Sequence, residues 1–77
     1  PRGANIIDFA YYIHSKVGNN CIGGVVNGNI VKIDYEIKDG DRVEIMTTKH
    51  LKKPSPDWIK VAKTKKAISM IRKALYS

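Results

Sequence analysis

The residues of this 77-residue chain that could do chemistry are few and far apart. His14 and His50 stand 36 positions from each other, and no sequence rule brings them together. Cys21 and His14 could be neighbours, but a nucleophile needs a base that a third group orients, and no such group is evident. Asp39 and Asp41 bracket Gly40 and are most simply turn residues. With Asp34 and Glu36 they lack the ligand spacing of a calcium loop. Gly23-Gly24 lacks the Lys-Ser/Thr ending that a phosphate loop requires. A single cysteine builds neither a disulfide framework nor a zinc site, so Cys21 reads as a reduced thiol packed as a small hydrophobe. The expectation is a chain with no catalytic residues of its own, no metal and no cofactor.

Charge is unevenly distributed along the chain, whose net value is +7. Residues 1–46 carry five Lys/Arg against six Asp/Glu, whereas residues 47–77 carry nine against Asp57 alone. A near-neutral front and a basic tail suggest two modules with different neighbours. Lys65, Lys66, Arg72 and Lys73 are the candidate contacts of that tail. Either they solvate the outer face of a helix or they meet phosphates.

The elements that must position these residues are short. A chain of this length buries only about 60% of its unfolded surface, which argues for one thin domain without a deep cleft. Ile and Val supply 17 of the 20 residues that are Leu, Ile, Val or Phe, favouring strands. No apolar run is long enough for a membrane span, and no leader is seen, so a cytoplasmic protein is expected. The chain starts at Pro1 and reads as a piece of something longer.

Arg2-Gly3-Ala4 reads as a loop, and Asn5 caps a helix running to about Val17, with Asp8 in its first turn. Ile6, Phe9, Ala10, Ile13 and Val17 form its core stripe, while Tyr11, Tyr12 and His14 lie nearer solvent. Gly18 is expected to stop the helix in a left-handed conformation. Strands Cys21–Val26 and Ile30–Ile33 are joined at Asn27-Gly28-Asn29, and Asn-Gly tolerates the positive φ angles of a tight hairpin. Gly23-Gly24 suggests a bulge or a close backbone approach. A turn at Asp39-Gly40-Asp41 precedes a half-buried strand from Arg42 to Thr47. Residues 49–54 form a basic linker, and Ser55-Pro56-Asp57 starts a helix on which Trp58 is a core or inter-domain anchor. Thr64 re-caps a segment whose stripe of Ala67, Ile68, Ile71, Ala74 and Leu75 is expected to pack against another domain.

The run Asp8-Phe9-Ala10-Tyr11, Ile13-His14-Ser15, Val17-Gly18, Cys21-Ile22-Gly23 and Val26-Asn27-Gly28 resembles a TGS domain. So does Asp34-Tyr35, Gly40-Asp41 and Val43-Glu44-Ile45. Pro54-Ser55, Asp57-Trp58, Lys63-Thr64 and Ile71-Arg72 look specifically like the RelA/SpoT-type enzymes of the stringent response. The resemblance implies an α+β, ubiquitin-like β-grasp fold lacking its first hairpin, followed by a basic C-terminal helical segment. It divides the chain into a TGS domain over residues 1–49 and, over residues 50–77, a linker with the start of a helical region. An uncovered strand edge would then be left where the hairpin belongs.

The same resemblance implies a regulatory module within a (p)ppGpp synthetase/hydrolase, a GTP pyrophosphokinase whose catalytic domains lie upstream. Its partners would be tRNA and the ribosome, through the parent protein, and the catalytic and helical domains of the same chain. No membrane and no DNA partner is expected. His14, in the Ile-His-Ser motif, resembles a contact for the 3′ CCA end of uncharged tRNA. Imidazole can stack on an unpaired base or donate to a ribose or phosphate. A surface histidine bonded to neighbouring backbone is the plainer alternative. Asn20 stands before the cysteine where tRNA-contacting relatives carry a basic residue. Competing roles are the TGS appendage of a translation-linked GTPase or aminoacyl-tRNA synthetase, and a sulfur carrier. The helix at Asp57-Trp58 argues against the first, and the lack of a terminal Gly-Gly against the second.

Overall fold

The computed structural model describes residues 3–50 and 53–76. Arg2 of the expected N-terminal loop, and Leu51 and Lys52 of the expected linker, lie outside the described residues. Helices α1 (Ile6–Ile13) and α2 (Ser15–Asn19) are followed by strands β1 (Cys21–Val26), β2 (Asn29–Val31) and β3 (Val43–Thr47). Helices α3 (Trp58–Val61) and α4 (Lys65–Tyr76) complete the order.

The sheet is antiparallel with order β2-β1-β3. Asn27 and Gly28 take φ values of 53° and 86°, so the hairpin turn uses the two residues able to adopt them cheaply. Gly23-Gly24 does both things that a glycine pair in a strand can do. The β1–β3 register shifts between Cys21 and Gly23, and a Cβ on Gly24 would stand 3.0 Å from Ile6 Cδ1 and 3.1 Å from the Glu44 carbonyl oxygen. Helix α1 thus sits directly on the middle of β1.

The first turn of α1 has no dangling amides. Ile6 N–H donates to Tyr35 O and Ile7 N–H to Ile33 O, both at 3.1 Å, so the segment after β2 crosses the helix start. Asn5 and Asp8 form a capping box: Asn5 Oδ1 accepts from Asp8 N–H at 3.1 Å, and Asp8 Oδ2 accepts from Asn5 N–H at 3.0 Å.

Three expectations are corrected. The helix from Asn5 does not reach Val17; it breaks at His14, whose φ and ψ of −170° and 149° are extended. Gly18 lies within α2 and is not left-handed; a Cβ there would overlap the Tyr11 ring, so the position is small to admit a neighbour. The core stripe is also rotated. Ile7 and Tyr11 are fully buried, whereas Ile13 is 51% exposed.

Helix α4 explains that rotation. Its Ala67 and Ile71 are buried in one core with Ile6, Ile7, Ala10, Tyr11, Cys21, Val26 and Ala62. The α4 stripe, expected to pack against another domain, packs on α1 of the 1–49 segment, and α1 is covered by the sheet on one side and by α4 on another. Trp58 is half-buried against the same core. Thr64 does cap α4, its Oγ1 accepting from Ala67 N–H at 3.2 Å. Among the described residues, no helix is long and apolar enough to cross a membrane.

Candidate functional site

His14 is the hinge between two helices. Its N–H donates to Ala10 O at 3.2 Å and closes α1, while its carbonyl accepts from Gly18 N–H at 3.0 Å inside α2. Its ring serves as the N-cap of α2, Nδ1 accepting from Lys16 N–H at 3.0 Å. An accepting Nδ1 puts the proton of the neutral ring on Nε2, which leaves a fixed, exposed imidazole with an N–H donor on its far edge. The plainer alternative, a surface histidine bonded to nearby backbone, is thus present in the structure. It orients the ring without consuming its other nitrogen.

Tyr11 and Cys21 are buried and inert. Tyr11 is fully buried and its hydroxyl donates to Asn19 Oδ1 at 2.7 Å, tying α1 to α2. Burial, with a further push from nearby Cys21, raises the phenol far above its ordinary range. The Cys21 thiol is also pushed up by burial, only partly opposed by the Gly23 backbone, and it donates to Gly23 O at 3.5 Å. A neutral, inaccessible thiol is no nucleophile. His14 and Cys21 therefore form no pair: the ring faces Lys16 N–H and the thiol faces Gly23 O.

Two clefts flank α2. One, of about 520 Å³, lies against α4 and is lined by Ser15, Asn19, Lys66, Met70 and Lys73, among others. The other, of about 360 Å³, is lined by Lys16, Val17, Asn20, Thr47, Thr48 and Lys49. Of the four basic tail candidates, Lys66 and Lys73 share the first cleft with Ser15, the residue after His14. Lys65 and Arg72 are exposed on α4 but line neither cleft. Lys66 Nζ lies 5.3 Å above the centre of the Tyr12 ring, within cation–π range.

Sequence reasoning missed Lys16 and Lys49. Lys16 was within reach, being two residues from His14 on the element that His14 caps. Lys49 had no local signal, since the return of the chain past Asn20 after β3 (Thr48 N–H to Asn20 O, 3.0 Å) brings it there. Asn20 donates to Lys16 O at 3.1 Å, and its Oδ1 is buried with no hydrogen-bond partner among the described residues. Asp41 and Asp39 are confirmed as turn residues: Asp41 accepts from Lys38 N–H at 2.9 Å, from Tyr35 Oη at 3.2 Å and from Asn27 Nδ2 at 3.0 Å. The Lys38 amide, more than any other contact, holds the Asp41 carboxyl below its usual range.

A family model described as the TGS domain matches residues 1–47, from the N-terminus to the end of β3. The chain belongs to the TGS domain family. Its helix on an antiparallel sheet is the ubiquitin-like β-grasp of that family. Among curated proteins, a GTP pyrophosphokinase of Myxococcus xanthus is 51% identical over 72 residues, 94% of this chain and 9% of the relative. A guanosine-3′,5′-bis(diphosphate) 3′-pyrophosphohydrolase of Aquifex aeolicus is 45% identical over 75 residues, 97% of this chain and 11% of the relative. A GTP pyrophosphokinase of Brucella ovis is 43% identical over all 77 residues, 10% of that relative. The TGS chain thus spans about a tenth of the length of these RelA/SpoT-type relatives, and the similarity continues past β3 through α3 and α4.

Proposed function

We propose that this chain is the regulatory, non-catalytic TGS module of a cytoplasmic stringent-response (p)ppGpp synthetase/hydrolase, and that it senses uncharged tRNA and relays the outcome to the catalytic domains. One observation carries the reading. His14 is held by its own cap bond with its second nitrogen exposed, at the bend between α1 and α2, in a chain whose similarity to (p)ppGpp enzymes runs from end to end.

The chemistry suits an unpaired nucleotide. A pre-oriented imidazole stacks on a base or donates to a ribose or phosphate without first losing rotamer freedom. Lys16 and Lys49 on one side, with Lys66 and Lys73 on the other, supply positive charge for the adjoining phosphates. The buried Cys21 and Tyr11 serve packing.

The test is a titration of uncharged tRNA onto the full-length protein at several salt concentrations. His14→Ala is expected to weaken binding by roughly 1–3 kcal/mol, the worth of one stacked base, with little change in the salt dependence. Replacing both Lys16 and Lys66 by Ala, one from each side, is the electrostatic contrast, since loss of phosphate contacts flattens the slope of log affinity against log salt. Unaltered affinity in His14→Ala sinks the reading.

A further inference from the structure

The similarity to the TGS family model ends at residue 47, yet the most heavily bonded side chain of the described residues ties α1 to the turn that enters α4. Asp8 is 3% exposed. Besides its capping bond to Asn5, its carboxylate accepts from Lys63 N–H at 2.9 and 3.1 Å, from Thr64 N–H at 2.9 Å and from Thr64 Oγ1 at 3.1 Å. Alongside it, Asn5 Nδ2 donates to Val61 O at 2.8 Å. The capping box of α1 therefore also receives the amides of residues 63 and 64.

We propose that the Asp8 carboxylate is a positioning latch, which locks the direction of α4 to the start of α1 so that both helices move as one body. Apolar contacts such as Ala67 and Ile71 against α1 supply attraction but little direction. Hydrogen bonds from two successive amides and a hydroxyl to one buried carboxylate fix both the angle and the register of the entering turn. Helix α1 then runs between two working ends, with the latch at Asp8 and the exposed ring at His14. A displacement of the His14 end is delivered to α4 through a rigid strut. This last step rests on the tRNA reading of His14; the latch itself does not.

Hydrogen exchange on the full-length protein, read over residues 58–76 and over β1, tests the latch. In Asp8→Ala, the amides of Lys63, Thr64 and the first turn of α4 are expected to exchange faster by a factor about ten times or more greater than any change at β1. Thr64→Ser keeps the hydroxyl and should match the parent, whereas Thr64→Val should fall between. Wild-type protection of α4 in a folded Asp8→Ala protein overturns the proposal. Should Asp8→Ala deprotect β1 to the same degree, Asp8→Asn, which leaves the Thr64 cap of α4 in place, decides: a larger rise in exchange at Lys63 and Thr64 than at β1 supports the latch, and no larger rise overturns it. Failure of the tRNA reading looks different, as unaltered affinity in His14→Ala. A latch that transmits binding predicts that tRNA changes α4 protection in the parent and not in Thr64→Val, at equal tRNA occupancy.

Discussion

At the start of α1, Asp8 is 3% exposed and takes hydrogen bonds from four donors, while at its end His14 is exposed and its ring takes one. Three stretches of chain converge on the first end: the cap itself, residues 33–37 after β2, and residues 61–64 before α4. Water is excluded there, so every polar group must find a protein partner. At the second end the His14 ring takes the Lys16 N–H of α2 on one nitrogen, and the other nitrogen points away from that bond. One eight-residue helix thus carries a structural terminus and a terminus left open for contact.

The largest expected effect would break this contrast if it failed to appear. Asp8→Ala strands the amides of Asn5, Lys63 and Thr64 at once, and should cost about 3 kcal/mol of stability. Urea unfolding measures it. A loss no greater than that of a surface substitution would show that water replaces the carboxylate freely.

A middle-sized effect compares the two sides of the turn that ends in His14. Tyr11 faces inward, and Tyr11→Phe should cost about 1 kcal/mol at neutral pH through its lost bond to Asn19. The pH dependence has a definite sign. The folded phenol is raised above its unfolded value, so its stabilising contribution is complete below about pH 10 and is lost as pH climbs above it. The parent should therefore lose stability in alkali more steeply than Tyr11→Phe. Thermal midpoints across that range decide, and parallel curves would mean that Tyr11 ionises as freely folded as unfolded.

The smallest effect sharpens the comparison most. Asn is a good N-cap, so His14→Asn keeps the acceptor for Lys16 N–H and removes only the imidazole. Stability should stay within about 0.5 kcal/mol of the parent. Uncharged-tRNA affinity should fall as far as in His14→Ala. Full binding by His14→Asn would assign the histidine to capping alone.

The features legible in the sequence are those whose cause is local. Asn5 capping α1, Asn27-Gly28 turning the hairpin, Gly23-Gly24 bulging β1 and Thr64 capping α4 each follow from side-chain or φ preferences within a few residues. His14 stood out in the sequence as a candidate through its motif, but not as the break in the helix, because a histidine N-cap competes with a continuing apolar stripe. The burial of Ile7 and Tyr11 was hidden because α4, more than 50 residues away, covers a second face of α1. Asp8 illustrates the limit of local reading. Its capping role is written three residues away, and its bonds to Lys63 and Thr64 are written 55 and 56 residues away.

That separation has a consequence for the birth of the molecule. A ribosome makes Asp8 long before it makes Lys63 and Thr64, and domains fold as their residues emerge. When β3 has left the tunnel, the hairpin can pair and α1 can settle on it, but the Asp8 carboxylate still faces water on the side α4 will occupy. The nascent sheet and helix must wait through the translation of the next seventeen residues, from Thr48 to Thr64, before the start of α1 is sealed.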